Sequence, residues 1–191
     1  MKIICIEGCH GCGKTEIISQ LGKNYNVLDE GFLEMPKFTL PPQSFTMEFM
    51  WMSKWVERVL KLQIKNPSGV YFADRSPFSV LFYAPNGNIL ELTINKIIND
   101  LKIYANIEII TVYIDVQENI LWNRIQERLK IEPYRRNYNE HKYSWMETTL
   151  KFYRENNHLW THKIENNNDI NIVVGDLVNI ASLDCLLTNQ L

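Results

Sequence analysis

The chain has 191 residues, 46% of them hydrophobic, and a formal net charge of −2, enough to bury a core without disulfide or metal staples. That near-neutral balance, with a pI ≈ 6.1, argues against the basic face a nucleic-acid partner usually needs. No apolar run approaches a membrane span, and the first seven residues carry no long apolar stretch of a signal peptide. The four cysteines (Cys5, Cys9, Cys12 and Cys185) and the lack of a usable N-x-[ST] acceptor point to a reducing, cytoplasmic compartment.

In chain order, residues 2–6 predict a buried first strand and residues 15–21 a helix. Between them Gly8-Cys9-His10-Gly11-Cys12-Gly13-Lys14-Thr15 is a complete G-x-x-x-x-G-K-[ST] phosphate loop. Strand, glycine-rich turn and helix N-terminus make a cradle whose backbone N–H groups point at phosphate oxygens. Lys14 then reaches the β- and γ-phosphates and the Thr15 hydroxyl ligates Mg²⁺, so a nucleoside triphosphate is the expected ligand. Cys9-x-x-Cys12 lacks the second ligand pair of a zinc site. It reads as small residues tolerated by the loop, with an oxidation-sensitive thiol as the alternative, because a helix N-terminus lowers thiol pKa. His10 reads as loop packing or a phosphate neighbour.

Val27-Leu28-Asp29-Glu30 predicts a short second strand ending in acids, followed by a loop broken by Pro36, Pro41 and Pro42. Apolar residues recur at helical spacing over 45–64 (Phe45, Phe49, Met52, Val56, Val59, Leu60), and Asn66-Pro67-Ser68-Gly69 ends that helix. Val70-Tyr71-Phe72-Ala73-Asp74 is a buried strand closing in an acid, with a short helix after it. Pro85-Asn86-Gly87-Asn88 is a loop, 94–104 a helix, and Ile109-Ile110-Thr111-Val112-Tyr113-Ile114-Asp115 a β-branched strand. Residues 118–130 predict a charged helix, 131–136 a loop, 138–163 a helix, Asn166 to Asp169 a turn, 170–174 a last strand and 176–187 a closing helix. The alternation predicts one α/β domain over 1–191, with about five parallel strands and helices on both faces.

Ligands of open α/β sheets bind at the carboxyl ends of the strands, where Glu30, Asp74 and Asp115 fall, although such acids also cap helices. The apolar run before Asp74 suits a residue that positions Mg²⁺ or its water shell. Arg75 sits over the same cleft, and an arginine beside a buried acid costs desolvation unless both have a task. Arg124 and Arg128 lie four apart on one helix face, with Arg135 and Arg136 beyond. A solvated charged face is the ordinary explanation. The position, about residues 124–136, is also where small-molecule kinases carry an arginine-bearing flap, whose planar forks grip a transferring phosphoryl group. His158 and His162 are four apart on the predicted 138–163 helix but lack a third ligand, so no metal is expected there. A GTPase would need an Asp that Asn95-Lys96-Ile97-Ile98 lacks, and no D-x-x-G switch occurs. The length fits a small kinase.

The segment Ile6 to Thr15 resembles the phosphate loop of the deoxynucleoside kinases, and His10-Gly11 is similar to the herpesvirus thymidine kinases. Asp74-Arg75-Ser76-Pro77, with Phe78 and Ser79, resembles the Asp/Glu-Arg-Ser motif of the cellular enzymes and the Asp-Arg-x-Pro form of the viral ones. Pro42-Gln43-Ser44-Phe45 resembles the segment whose glutamine reads the base, and Arg124-Ile125-x-x-Arg128 followed by Glu132 resembles the flap helix. The similarity runs to about Asn157.

This resemblance implies a P-loop kinase fold and transfer of the ATP γ-phosphoryl to the 5′-hydroxyl of a deoxynucleoside, a pyrimidine such as thymidine. Glu30 matches the carboxylate that takes the 5′-hydroxyl proton, and a carboxylate at hydrogen-bond distance suffices as base. Arg75 would hold the 5′-oxygen region and the phosphoryl oxygens, with Lys14, Arg124 and Arg128 as further catalytic residues on the phosphoryl group. Thr15 and Asp74 would hold Mg²⁺. The Gln43 amide can pair with thymine or, flipped, with cytosine or adenine. Phe32, Phe45, Trp51 and Trp55 are candidates to sandwich the base, and Glu132 would accept the sugar 3′-hydroxyl. A homodimer is implied as well. The chain departs from the family in having Glu30-Gly31-Phe32 in place of Glu-Pro and an aromatic, and in lacking a clear sugar-contacting tyrosine before Gln43. A thymidylate-type monophosphate kinase is the alternative, but it needs basic residues for the acceptor phosphate; Lys37 is the nearest, and Glu30 would repel a dianion. A nucleotide-binding protein without transfer activity is a further alternative, against which intact Lys14, Thr15, Glu30 and Arg75 speak.

Overall fold

The apolar run after Met1 forms strand β1 (Lys2–Glu7) of the computed structural model, which describes residues 1–32, 35–36, 38–41 and 43–187. Lys37 and Pro42, both used in the sequence reading, lie outside the described residues. Every residue of β1 is buried because it is flanked on both sides, in parallel, by β3 (Val70–Asp74) and β4 (Glu108–Asp115). A parallel strand covered on both faces has no solvent face to supply, hence its near-continuous apolar character. β2 (Asn26–Leu28) pairs with the outer side of β3, and β5 (His162–Glu165) with the outer side of β4, giving the order β2-β3-β1-β4-β5. The chain first builds to one side of β1 and then to the other, so the switch in strand order falls at the carboxyl end of β1, beside the phosphate loop.

Seven helices accompany the strands among the described residues: α1 (Lys14–Leu21), α2 (Phe45–Lys65), α3 (Val80–Tyr83), α4 (Glu91–Ala105), α5 (Glu118–Ile131), α6 (Tyr143–Glu155) and α7 (Ile170–Leu187). Alternation along β1 splits the core. Ile3 and Cys5 face Met52, Trp55 and Val59 of α2 and Ile94 of α4; Ile4 and Ile6 face Ile17 of α1, Leu121 and Ile125 of α5, and Val173 and Leu177 of α7. Each such wholly buried aliphatic side chain contributes about 1.5–3 kcal/mol. Among the described residues no helix is long and apolar enough to cross a membrane.

The C-terminal third differs from the sequence reading. The predicted 138–163 helix is confined to α6, followed by a 3₁₀ turn at Asn157–Leu159 and then β5. Only Ile164 of β5 is buried, since an edge strand shows little apolar face and so carries no period-two signal. The predicted strand at 170–174 is instead the start of α7. The Asp169 carboxylate accepts the Asn171 N–H at 2.8 Å, which caps the first turn. Val173, Leu177 and Ala181 then bury one stripe at spacings of four, and that packing outweighs the strand preference of the β-branched run. His158 and His162 therefore share no helix: His158 pairs with Glu91 at 3.0 Å and His162 opens β5. The loops expected at 85–88 and 131–136 contain 3₁₀ turns, Gly87–Leu90 and Pro133–Tyr138.

Candidate active site

The phosphate loop turns between β1 and α1 on glycines with positive φ, including Gly11 at 81° and Gly13 at 102°. A Cβ on Gly13 would also meet the Asn166 Nδ2 at 2.8 Å. That amide donates to the Cys12 carbonyl at 2.8 Å, while the Asn166 carbonyl accepts from Arg124 Nη1 at 2.9 Å. Asn166, just past β5, thus braces the loop from behind and positions an arginine of α5; within a run that reads as a mere turn it carries no signal in the sequence. Lys14 folds over the loop, its Nζ donating to the carbonyls of Gly8 at 2.7 Å and Cys9 at 3.1 Å. Thr15 stands exposed at the start of α1.

The thiols of Cys9 and Cys12 are buried at 1% exposure each. Burial pushes the Cys9 thiol well above its ordinary value, so desolvation outweighs the helix N-terminus and the oxidation-sensitive alternative does not hold for Cys9. Burial, reinforced by Lys14, Arg75, Arg128 and Arg135, lowers His10 to about 3. Its ring is neutral at physiological pH, with Nε2 lacking a hydrogen-bond partner among the described residues.

At the end of β3 the chain turns through Arg75, whose φ of 73° lies where non-glycine residues are rare. The turn is held from below by Glu7, a side chain at 0% exposure. One Glu7 oxygen accepts from the Ser76 N–H and the Ser76 hydroxyl, both at 2.7 Å, and the other from the Tyr153 hydroxyl at 2.9 Å, with Ser79 reaching both oxygens at 3.0 Å. The carboxylate clamps the Asp74-Arg75-Ser76 segment to the phosphate-loop strand. Sequence reading passed over Glu7, whose only signal was an acid closing an apolar strand just ahead of Gly8. Glu7→Ala strands these donors in the core, so a loss of roughly 2–4 kcal/mol is expected. In thermal unfolding this corresponds to a Tm roughly 5–15 °C lower, with a smaller drop for Glu7→Gln; a Tm within about 2 °C of wild type refutes the clamp.

So oriented, Arg75 donates from Nε to Glu30 Oε1 at 2.7 Å and lies 4.9 Å from the Tyr83 ring centre. Glu30 sits two residues past β2, its carbonyl accepting the Trp51 indole N–H at 2.8 Å. Asp74 has a buried carboxyl oxygen without a hydrogen-bond partner among the described residues; burial raises its pKa against the pull of Lys14 and Arg75. Asp115, by contrast, is structural. It binds Tyr113, Arg154 and Lys163 at 2.8, 3.1 and 2.8 Å, tying β4, β5 and α6 together. Burial alone would raise its pKa, but bonds from Lys163, Tyr113 and Arg154 outweigh that and hold it low.

These residues line two joined clefts. The first holds the phosphate loop, including Gly11, Gly13, Lys14 and Thr15, with Asp74, Arg124, Arg128 and Glu132. The second, enclosing ≈ 820 Å³ of space open to solvent, has walls of Phe32, Gln43, Glu48, Trp51, Tyr83 and Trp145, a size and lining suited to a small molecule. His10, Glu30, Arg75, Arg135 and Glu140 border both. Of the four aromatic candidates, Phe32 and Trp51 reach the second cleft, while Trp55 is core at 1% exposure and Phe45 packs against that core. Glu132 lies on the phosphate side, its carboxylate occupied by Arg128 at 3.0 Å and by Arg135. It is not among the residues that wall the second cleft. Arg135 also holds Glu140 at 3.0 Å, and Arg136 is exposed. Glu48, Glu140, Tyr83 and Trp145 have no distinguishing mark in the sequence, because distant elements bring them to the cleft.

Neither a family model nor a curated protein matches the sequence. Solved structures do match. The tunicamycin resistance protein of Deinococcus radiodurans is 13% identical with a TM-score of 0.62, over 95% of this chain and 96% of that one. The YorR protein of Bacillus subtilis, in complex with phosphorylated GDP, is 16% identical at 0.60, over 95% and 96%. A gluconokinase from Sinorhizobium meliloti is 14% identical at 0.58, over 100% and 98%. None of these three is named a deoxynucleoside kinase, and at such identities what is shared is the fold. The chain has the α/β fold of the P-loop kinases, a five-stranded parallel sheet with helices on both faces.

Proposed function

We propose that this protein is an ATP-dependent deoxynucleoside kinase, transferring the γ-phosphoryl to the 5′-hydroxyl of a deoxynucleoside, a pyrimidine such as thymidine. The observation that carries this reading is the Glu30–Arg75 pair, 2.7 Å apart and bordering both clefts. A carboxylate there can take the hydroxyl proton of an acceptor in the aromatic cleft while the arginine faces the arriving phosphoryl group. Lys14, Arg124, Arg128 and Arg135 supply positive charge on the donor side, which suits a reaction that depends mainly on positioning and charge stabilisation. A gluconokinase and a protein holding phosphorylated GDP among the structural neighbours support phosphoryl transfer and nucleotide binding in general.

The unpartnered Asp74 oxygen and the exposed Thr15 hydroxyl on one cleft fit Mg²⁺, which takes few protein ligands and keeps phosphate and water around it. When bound, the ion neutralises charge on the β- and γ-phosphates. Asp74→Asn is expected to raise the Mg²⁺ concentration for half-maximal activity by about tenfold or more; an unchanged Mg²⁺ titration removes Asp74 from this role.

Glu30 and Glu140 border the acceptor cleft together with Arg75 and Arg135, and a third glutamate, Glu48, is kept neutral at pH 7 by burial. With each arginine matched by a carboxylate, no spare positive charge is left for a dianion, which favours a neutral nucleoside over a monophosphate. Purified protein with Mg-ATP, supplied separately with each deoxynucleoside and each deoxynucleoside monophosphate, should release ADP with a nucleoside. Release with monophosphates alone would overturn the proposal in favour of a thymidylate-type enzyme, and release with neither would leave a nucleotide binder.

A further inference from the structure

Glu48 lies in the first turn of α2, yet does none of the usual work of an acid there. The helix is capped by Ser44, whose hydroxyl accepts the Met47 N–H at 3.4 Å. An acid serving the helix dipole is ordinarily solvated, whereas Glu48 is 3% exposed. Its carboxyl has no hydrogen-bond or ion-pair partner among the described residues; Arg75 and Glu30 act on it only through their charges. Its oxygens are not among the side-chain atoms wholly cut off from solvent, so their remaining opening is the cleft, and a polar group so largely buried nearly always has a partner. This one faces the acceptor cleft beside Gln43 and Trp51, which lies one turn further along the same helix face.

We propose that Glu48 is a substrate-reading residue, which with Gln43 pairs to the polar edge of a neutral heterocycle offering one hydrogen-bond donor beside one acceptor. This rests on the nucleoside reading above and adds to it the group that recognises the base. Burial, partly offset by Arg75 and increased by Glu30, raises Glu48 to about 8. At neutral pH it is a carboxylic acid with one O–H donor and one acceptor oxygen. That set complements an N–H beside a carbonyl, as in thymine, or a ring nitrogen beside an amine, as in cytosine. A carboxylate or phosphate, which can only accept, would take the O–H but leave the acceptor oxygen facing another acceptor. Once ionised, the group can only accept, so a lactam or amidine edge loses a bond and meets an adjacent negative charge.

The other titratable groups around it act elsewhere. Tyr83 is pushed above its ordinary range by burial, His10 is lowered to about 3, and Arg135 is held charged beside Glu140 and Glu132. The acceptor KM of the wild-type enzyme should therefore rise above pH 8, and Glu48 is the group that produces that rise.

The test compares wild type, Glu48→Gln and Glu48→Leu, with acceptor KM and kcat followed from pH 6 to 9.5 and with Tm and ATP affinity establishing that each variant is folded. Glu48→Leu should raise the nucleoside KM about 10–100-fold at pH 7, as expected for two lost hydrogen bonds, with the effect falling on KM far more than on kcat. Glu48→Gln keeps a donor and an acceptor without titrating, so it should recover most of that affinity and flatten the alkaline rise. A nucleoside KM and pH profile unchanged in both variants overturns the role of Glu48 while leaving the kinase reading in place. Wild-type protein that phosphorylates no nucleoside overturns both.

Discussion

Glu30→Gln should lower kcat for the nucleoside by about 10²–10⁴-fold, the range lost with a general base, and leave ATP affinity within a few-fold of wild type. Glutamine keeps the shape of the side chain and the place beside Arg75 but cannot take the hydroxyl proton. The amide also replaces the acceptor of a 2.7 Å charge-assisted bond to an arginine at 9% exposure. Some loss of stability should therefore accompany the loss of rate, and Tm is measured alongside kinetics. The Trp51 bond to the Glu30 carbonyl is untouched, which keeps the backbone in place and makes the rate effect attributable to the carboxylate. Turnover within about threefold of wild type would remove Glu30 as base. Unchanged ATP affinity with no measurable transfer even in the wild type would identify a nucleotide-binding protein instead.

Lys14→Ala should weaken Mg-ATP binding and cut turnover by about 10³-fold or more, since in the proposed reaction one ammonium would serve both donor binding and the developing charge on the phosphoryl group. The same ammonium donates to the Gly8 and Cys9 carbonyls at 2.7 and 3.1 Å, so it organises the loop as well as the ligand. Losing it leaves those carbonyls short of a donor at a cost of about 1–3 kcal/mol. Calorimetric ATP titration and single-turnover kinetics separate the effects: a loop that merely loosened would lose affinity and keep its rate at saturating ATP, whereas the proposed role requires loss of both. Retention of more than about a tenth of wild-type turnover at saturating ATP would contradict it. Arg124, Arg128 and Arg135 line the same cleft as Lys14 and under the proposal would share its task, so removing any one of them should cost less than removing Lys14.

The phosphate loop was legible because its geometry is written in contiguous residues. Gly11 and Gly13 occupy backbone conformations that other residues resist, and Lys14 and Thr15 follow at fixed spacing. Strands β1, β3 and β4 were legible for a related reason: buried on both faces, they must be apolar throughout, and the acids that close β3 and β4 stand out against them. The last strand was misplaced because β5 has only Ile164 buried, while the β-branched opening of α7 resembles a strand until the Asp169 cap and the stripe of Val173, Leu177 and Ala181 are seen.

Sequence alone determined the α/β alternation, the phosphate loop and the identities of Glu30, Gln43, Asp74 and Arg75 as polar residues at strand ends and helix starts, since each depends on neighbours in the chain. Only the tertiary structure decided what surrounds them. Glu7 reaches its role through Ser76, Ser79 and Tyr153, which are 69 to 146 positions away; Asn166 braces a loop 154 positions earlier; Asp115 is taken into an ion network; and Glu48 is buried in the aromatic-walled cleft. A carboxyl group has the same letter in the sequence whether it is solvated, paired or stranded. Its protonation and its chemistry follow from desolvation and from the charges brought beside it, and these exist only once distant segments have packed together.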